Sequence, residues 1–374
     1  MKRMLGATRM KRAVAIATVS GLALSSALLS TTAGASVKLP KSGVESPGTA
    51  SLAETGSTLL YPLWNLWVGG YTQTYPKVSI QTAGTGSGTG ISDAENGTAD
   101  IGASDAYLAP SVVSANPTLK NIPLAISSQL VAYNVPGVVA HLKLSGKVLS
   151  KIYQGKITNW NNSAIAALNP GVTLPSLPIV TLHRADSSGD TFLFTQFLSK
   201  TDPSGWGSTI AFNTTVTWPN APGALGETGN SGMVAGCKAT KGCIAYVGVS
   251  YLTQALQAGL GYAALQNAKG KYELPTAAAI SAEAASFTKK TPASGTISLI
   301  YGPASTGYPI VNYEYAIVDA KQPSTSKAKA IRSVLEWAVN KKDGNATSYL
   351  AQVNFQPLPA AIVAGSLKQI LSIK

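Results

Sequence analysis

The sequence predicts an α/β fold, because segments with the pattern of strands alternate with segments that have the pattern of helices. Short apolar and β-branched runs typical of strands occupy residues 78–82, 179–182 and 310–318. Apolar side chains recur at helical spacing in residues 192–198 and 331–338. No repeat of roughly 20–50 residues is visible, which disfavours a solenoid or a propeller.

The composition indicates a globular protein with an excess of positive charge. The chain has 374 residues, of which 45% are hydrophobic, so it is long enough to bury a large core and too apolar for intrinsic disorder. Its 36 glycines and 21 prolines are close to average usage and exclude a collagen-like chain. The 29 basic residues outnumber the 16 acidic residues by 13, which favours an anionic partner: nucleic acid, an acidic surface or a small oxyanion.

Residues 1–35 have the order of a secretory signal peptide. Five basic residues come first, an apolar run follows at 13–29, and small residues at 33–35 offer a cleavage site. We therefore expect an exported protein that acts in the periplasm or on the outside of the cell envelope. Because residues 1–35 contain five basic residues and no acidic residue, cleavage lowers the net charge from +13 to +8.

An uncleaved membrane anchor is the alternative for this segment. Polar residues interrupt the apolar run, which is shorter than the roughly 20 apolar residues of a spanning helix. The segment also has no cysteine that could carry a lipid. Residues 36–50 are rich in Ser, Gly, Pro and Lys, and predict a flexible tether before the folded part.

The two cysteines, Cys237 and Cys243, lie close together on either side of a turn that contains Lys and Gly. In an exported protein this spacing predicts a disulfide that closes a short loop. The cysteines and the two histidines, His141 and His183, are too few and too scattered for a structural zinc site. We expect no metal and no other cofactor.

Three loops rich in glycine and small hydroxyl residues precede apolar helical segments: residues 55–58 (TGST), 84–90 (GTGSGTG) and 187–190 (SSGD). The helices are expected to run from about Leu59, Ile91 and Thr191, with Ser or Thr capping their free N–H groups. Helix N-termini offer N–H donors and a partial positive charge, so three converging ends would form an anion site with little need for lysine. The alternative for each loop alone is an ordinary cap or turn.

The glycine run does not fit a nucleotide-binding loop. A dinucleotide fingerprint that begins at Gly84 requires glycine at position 89, which is Thr89. No lysine follows the glycines, as a phosphate-binding loop of the nucleotide type requires. A nucleotide is therefore not expected as a ligand. We also expect no nucleic-acid partner.

Two further charged segments lie between these loops. Asp105 stands in a stretch of small and apolar residues. Arg184 follows His183 just after the predicted strand 179–182, two residues before Asp186. Arginine can contact an oxyanion with two parallel hydrogen bonds, and Asp186 could orient it. The alternative for Arg184 and Asp186 is a surface ion pair.

Six segments resemble the phosphate-binding proteins of bacterial phosphate-specific ABC transporters, and most closely their mycobacterial and actinobacterial branch. The segments are TGSTLLYPLWNLW (55–67), GTGSGTGI (84–91), IGASDAYL (101–108), LHRADSSGDTFLFTQFLS (182–199), GNSGMVAGCKATKGCIAYVG (229–248) and GYPIVNYEYAIV (307–318). They occur in the same order as in the family, and the resemblance extends from about residue 52 to the C-terminus.

The resemblance implies a type II periplasmic-binding-protein fold, with a ligand cleft between two α/β domains joined by crossover strands. Domain I would combine residues 51–131 and 311–374, and domain II would be residues 132–310. A turn predicted at residues 134–137 (NVPG) lies close to that boundary.

The same resemblance implies a set of phosphate ligands. Carried over motif by motif, they are Ser57, Thr58, Leu59, Ser87, Asp105, Arg184, Ser188, Gly189 and Asp190, with Asp186 supporting Arg184. Leu59 would contribute its backbone N–H. Two positions depart from the wider family, since Asp190 stands where many members have Thr and Leu59 where many have Phe.

The implied function is that of an extracytoplasmic solute-binding protein, which captures inorganic phosphate and delivers it to the permease subunits of an ABC importer. We expect a monomer that is not an enzyme. One alternative is a binder of another tetrahedral oxyanion. A secreted phosphate-ester hydrolase is a second alternative, which the sequence disfavours because it lacks a G-x-S-x-G nucleophile motif and clustered metal ligands.

Overall fold

The structure is a computed structural model that describes residues 44–138 and 141–374. The predicted signal peptide and tether residues 36–43 lie outside the described residues. In the part of the chain that is described, no helix has the length and apolar character needed to cross a membrane.

Strands and helices alternate along the chain, as the sequence predicts. The strands are β1 (Ala50–Gly56), β2 (Val78–Gly84), β3 (Ile101–Ser104), β4 (Leu119–Tyr133), β5 (Lys143–Leu144), β6 (Val180–Arg184), β7 (Leu225–Glu227), β8 (Cys243–Gly248), β9 (Gly261–Tyr262), β10 (Ala264–Gln266), β11 (Tyr272–Glu273) and β12 (Val311–Asp319). The helices are α1 (Tyr61–Thr74), α2 (Ser87–Asn96), α3 (Pro110–Ala115), α4 (Gly146–Tyr153), α5 (Ser163–Ala166), α6 (Gly189–Thr201), α7 (Gly229–Ala239), α8 (Leu252–Gln257), α9 (Ala277–Ala285), α10 (Thr325–Val339), α11 (Thr347–Leu350) and α12 (Ala360–Ile370).

All five segments predicted from periodicity are confirmed. The three strand patterns correspond to β2, β6 and β12, and the two helical patterns correspond to α6 and α10. The predicted turn is confirmed as well, because β4 ends at Tyr133 and Gly137 has a φ of +84°, which favours glycine.

One large sheet carries most of the strands, in the order β2-β1-β3-β12-β4-β8-β6-β7, with β9 beside β4. β1 is parallel to β2 and β3, and β6 is parallel to β7 and β8. Between these two parallel groups, β12 and β4 run antiparallel to their neighbours. A small sheet is formed by β11, β10 and β5.

The long strand β4 joins the two halves of the large sheet. Its residues from Leu119 to Ser128 pair with β12, and those from Gln129 to Tyr133 pair with β8. Because one continuous backbone serves both halves, residues near Ser128 and Gln129 lie where the halves meet. The buried core includes the fully buried tryptophans Trp64, Trp67, Trp160, Trp206 and Trp337.

The folded part begins earlier than the tether predicted for residues 36–50 suggests. Glu45 forms an ion pair with Arg332 of α10 at 2.9 Å, and its backbone N–H donates to Glu336 at 2.9 Å. Pro47 is buried, and β1 begins at Ala50. Composition alone does not reveal that this segment is folded, because its contacts are with α10. Arg332 of that helix lies 287 residues after Glu45 in the chain.

The predicted disulfide is confirmed. Cys237 and Cys243 are bonded, are fully buried, and link the last turn of α7 to the first residue of β8. The bond closes a loop with a sequence separation of 6, so its entropic contribution to stability is about 2–3 kcal/mol. It fixes the turn between α7 and β8, while packing of the buried core stabilises the rest of the fold.

Because of Glu54, we expect the protein to be more stable in acid than in mild alkali. This β1 side chain is buried, its carboxylate accepts a hydrogen bond from Thr82, and burial raises its pKa to about 8 from 4.5. Between these two pH values the unfolded chain has released the proton and the folded chain keeps it, so the free energy of unfolding falls as pH rises. Glu54→Gln should make this decline less steep in urea titrations from pH 4.5 to 8, where other buried acids also contribute. Glu95→Gln, at an exposed acid, should leave the slope unchanged. Parallel pH profiles for wild type and Glu54→Gln would contradict the assignment.

Candidate functional site

The candidate site lies where the parallel strands end. The carboxyl ends of β1, β2 and β3 meet at one edge of the sheet, where Ser57, Ser87 and Asp105 follow them. Arg184 is the last residue of β6, and Ser188 follows four residues later. Open α/β sheets bind their ligands at this carboxyl edge.

The first loop is held by Ser57, which is buried. Its Oγ accepts a hydrogen bond from the Leu60 amide at 2.9 Å and donates to Asp105 Oδ1. The helix expected from Leu59 begins at Tyr61 instead. The Leu59 carbonyl, before this helix, accepts a hydrogen bond from Ser250 Oγ at 2.7 Å.

The second loop is shorter than the sequence suggests, because α2 begins at Ser87 and not near Ile91. Gly90 thus lies inside the helix, where glycine is usually unfavourable. A Cβ at Gly90 would come within 2.6 Å of the Ala103 carbonyl oxygen, so glycine is needed for α2 to pack on β3. Gly86 precedes the helix with a φ of +99°.

The third loop caps a helix, as predicted. Ser188 Oγ accepts a hydrogen bond from the Thr191 amide at 3.3 Å, and α6 begins at Gly189. Gly189 lies directly against the other two segments, since a Cβ there would overlap with Asp105 Oδ2 and Ser87 Oγ. The structure therefore brings the second loop, the third loop and Asp105 together.

Arg184 and Asp186 form a pair that is buried on the arginine side, not a surface ion pair. Arg184 donates to both carboxylate oxygens of Asp186, and the Arg184 side chain is 1% exposed. Burial alone would raise the pKa of Asp186, but the hydrogen bonds and charge of Arg184 outweigh it and hold the pKa below its usual range. Asp186 therefore orients the guanidinium group.

Asp190 is buried and already accepts several hydrogen bonds. Its carboxylate accepts from Arg184 Nη1 at 3.1 Å, from Gln129 Nε2 at 3.0 Å and from Asn230 Nδ2 at 2.6 Å. Burial raises its pKa, while Arg184 opposes that shift. In this arrangement Asp190 is a second anchor for Arg184.

Asn230 and Gln129 are site residues that the sequence prediction missed. Asn230 is fully buried in the first turn of α7 and donates from Nδ2 to Thr58 Oγ1 at 3.0 Å as well as to Asp190. A signal for it existed, because the segment TGNSG at 228–232 repeats the small-residue pattern of the three loops. Gln129 gave no such signal, since it lies within the long strand β4 and not in a glycine-rich loop before a helix.

Asp105 is almost fully buried among hydroxyl groups and other acids. Ser57 donates to its Oδ1, and Ser87 Oγ lies 3.3 Å from its Oδ2. Burial and then the charge of Asp190 raise its pKa to about 7, while hydrogen bonds from Glu314 and Ser57 lower it. Glu314, on β12, is a third buried acid beside the site that the sequence prediction did not include.

The cluster combines donors and acceptors in one buried place. Helix starts and hydroxyl groups supply neutral donors, Arg184 supplies a cation, and Asp105 and Asp190 supply carboxylates. No group of three or more His, Cys, Asp or Glu among the described residues is arranged to hold a metal ion. Such a cluster can bind an oxyanion mainly through neutral donors.

Comparisons with known proteins place the chain in a family. A sequence profile of the PBP superfamily domain matches residues 43–342. The chain is 32% identical over 351 residues to the phosphate-binding protein PstS of Methanocaldococcus jannaschii, with 88% of each chain covered. It is 30% identical over 338 residues to the phosphate-binding protein PstS 3 of Mycobacterium leprae, with 86% of each covered.

A solved structure shows the same fold. This is the high affinity periplasmic phosphate-binding protein PfluDING, solved with phosphate bound, which matches with a TM-score of 0.66 and 22% identity. The match covers 84% of this chain and 92% of the other. The fold is therefore the mixed α/β fold of type II periplasmic binding proteins, as the sequence predicts. The chain belongs to the PBP superfamily and, within it, to the PstS family of phosphate-binding proteins.

Proposed function

We propose that this protein captures inorganic phosphate outside the cytoplasm and delivers it to the permease subunits of an ABC importer. The observation that carries the proposal is the convergence of Asp105, Arg184 and the loops at Ser57, Ser87 and Ser188 in one buried cluster. The relatives named above are phosphate-binding proteins, and a structure of the same fold was solved with phosphate bound.

Phosphate is held mainly by neutral donors. The backbone N–H groups of Thr58, Leu59 and Gly189, at or near the starts of helices, surround its oxygens together with the hydroxyl groups of Ser57, Ser87 and Ser188. Arg184, oriented by Asp186, supplies the charged donor. Asp190 anchors Arg184 and adds its own backbone N–H in the first turn of α6.

Asp105 distinguishes phosphate from sulfate. At neutral pH phosphate still carries a proton, and a carboxylate accepts a hydrogen bond from its P–OH group. Sulfate carries no proton, so it meets Asp105 as a like charge and leaves a buried acceptor unpaired, at a cost of about 1–3 kcal/mol or more. The same site therefore prefers an oxyanion that carries a proton.

Two lobes close over the ligand. Residues 51–131 with 311–374 form one lobe, and residues 132–310 form the other. The change of partner along β4, from β12 to β8 between Ser128 and Gln129, supports a boundary there. Contacts between the two sets of residues favour the closed state: Asn230 donates to Thr58, and Gly88 N–H donates to the Ser187 carbonyl at 3.0 Å.

Gly88→Ala should weaken phosphate binding by hindering closure. A Cβ at Gly88 would overlap with Ser187 Oγ on the opposite lobe, although alanine is the better helix former. We expect at least a tenfold loss of phosphate affinity by calorimetry and a larger radius of gyration by small-angle scattering with phosphate present. Gly69→Ala is the matched control, because Gly69 also lies in a helix and a Cβ there meets nothing within 4 Å. Equal affinities for both variants would contradict the closure contact.

The protein is exported by a signal peptide at residues 1–35, which is then cleaved. It acts as a monomer and does not catalyse a reaction. Family membership supports binding to permease subunits. A binder of another tetrahedral oxyanion and a phosphate-ester hydrolase are the competing functions.

Calorimetry, together with a turnover assay on a chromogenic phosphate ester, separates these three functions. The protein should bind phosphate at one site per chain, should bind sulfate and molybdate far more weakly, and should leave a chromogenic phosphate ester intact. Tighter binding of sulfate or molybdate than of phosphate, or turnover of the ester, would refute the proposed function.

A further inference from the structure

Glu314 is a buried acid whose two oxygens have different surroundings. The side chain lies on β12 and is fully buried. Oε1 accepts a hydrogen bond from Asn312 Nδ2 at 3.0 Å and contacts Ser127 Oγ, whose single proton can go either to Oε1 or to Asn312 Oδ1 at 2.7 Å. Oε2 is buried and receives no hydrogen bond from a donor. Because an amide N–H already donates to Oε1, Oε2 is the oxygen left to carry a proton.

The group that interacts with Glu314 is Asp105. The two carboxyl groups interact directly, and each affects the titration of the other. Two buried carboxylates in contact cannot both be ionised without a large electrostatic cost, so the pair retains at least one proton. Beyond Asp105 lie Asp190, which favours a proton on Asp105, and Arg184, which opposes it.

The hydrogen bonds indicate which acid holds that proton. Asp105 receives the hydroxyl of Ser57 and lies near Ser87 and Arg184, which stabilise its charged form. Glu314 has neither a cation nor a second donor at Oε2. Burial, and next the charge of Asp105, raise the pKa of Glu314 well above its usual range. A proton on Glu314 Oε2 allows this oxygen to donate a hydrogen bond, and the Asp105 carboxylate is then the acceptor.

We propose that Glu314 is a neutral carboxylic acid that donates a hydrogen bond from Oε2 to Asp105 and so positions the Asp105 carboxylate toward the hydroxyl group of the bound phosphate. The proposal rests on the proposed function of the same site. Glu314 is a positioning residue that acts through Asp105. It keeps a third negative charge out of an anion site that already contains Asp105 and Asp190.

The test compares a variant that keeps the donor with one that removes it. Glu314→Gln retains an N–H at the place of the Oε2 proton and cannot ionise, whereas Glu314→Leu retains only apolar bulk. Phosphate affinity should stay within about threefold of wild type in Glu314→Gln. It should fall at least tenfold in Glu314→Leu, and the preference for phosphate over sulfate should fall with it. Glu283→Gln is the matched control, because burial also raises the pKa of Glu283, to about 7, and no contact joins it to Asp105. It should bind phosphate as wild type does.

Infrared spectroscopy reports the proton directly, and without phosphate. At pH 7 the difference spectrum between wild type and Glu314→Gln should contain the carbonyl band of a protonated carboxylic acid, and the same band should persist in Asp105→Asn. A difference spectrum without this band would overturn the proposal, as would a phosphate affinity in Glu314→Gln as low as in Glu314→Leu. If Glu314→Leu does not fold, the infrared band and the Glu314→Gln affinity decide alone. If wild type does not bind phosphate, the proposed function fails, while the infrared band still decides the protonation of Glu314.

Discussion

Replacing Arg184 by alanine is expected to weaken phosphate binding at least hundredfold, which corresponds to about 2.7 kcal/mol. Arg184 donates to Asp186 and Asp190 from a position that is 1% exposed, so its removal leaves two carboxylates facing the phosphate without a cation. Breaking a buried ion pair of this kind usually costs about 3–5 kcal/mol. Calorimetry measures the affinity, and thermal unfolding shows how much of the cost falls on stability.

Two further variants test whether the loss of affinity is specific to the guanidinium group of Arg184. Arg184→Lys keeps the charge but loses the paired contact with Asp186, so its affinity should lie between those of wild type and Arg184→Ala. Arg332→Ala is the matched control, because Arg332 also pairs with an acid, Glu45, but at a partly exposed position outside the site. Its phosphate affinity should not change. A folded Arg184→Ala protein that binds phosphate within threefold of wild type would contradict the role of Arg184.

Replacing Asp105 by asparagine should reduce the preference for phosphate over sulfate at least tenfold. The amide of asparagine has an N–H group where the carboxylate accepts the phosphate proton, so two donors would face each other and phosphate binding should weaken. Sulfate should bind better than it does to wild type, because the like charge is gone. A buried hydrogen bond of this kind is worth about 1–3 kcal/mol.

The control for this variant lies at the other end of the same strand. Asp100 precedes β3 and pairs with Lys327 at 2.8 Å, whereas Asp105 follows β3. Asp100→Asn therefore removes the same charge outside the site and should leave the ratio of phosphate to sulfate affinity unchanged. An Asp105→Asn protein with full phosphate affinity and no gain in sulfate affinity would refute the role of Asp105.

Much of this arrangement can be predicted from local sequence. The strands β2, β6 and β12 and the helices α6 and α10 follow from periodicity, since each buries one patterned face or run. Ser188 is recognisable as a helix cap because capping depends on residues within one turn of each other. The disulfide follows from two cysteines six residues apart in a chain whose N-terminal sequence predicts export.

Helix starts were less predictable where distant contacts decide them. The helix α2 requires a close approach of Gly90 to Ala103 on a neighbouring strand, and the residues before α1 contact Ser250 through the Leu59 carbonyl. The net charge of +13 also indicated an anion without indicating where it binds. In the cluster, Arg184 stands against Asp105, Asp186 and Asp190, and the donors are mainly neutral.

The residues that the sequence missed act through contacts between distant segments. Asn230 reaches Thr58 across a separation of 172 residues, and Gln129 reaches Asp190 across 61. Glu314 stands in an apolar strand, where its own neighbours in sequence say nothing about Asp105. The contacts of these residues become visible only when the fold brings the loops together, although the small-residue pattern around Asn230 is a local signal for that residue.

The most direct test of the account is a crystal structure of the protein with phosphate at neutral pH. We expect one phosphate ion among the loops at Ser57, Ser87 and Ser188. One of its oxygens should lie about 2.5–2.7 Å from an Asp105 carboxylate oxygen, and another should be in contact with Arg184. A phosphate bound elsewhere, or one in this cluster with Asp105 beyond hydrogen-bond distance, would contradict the account.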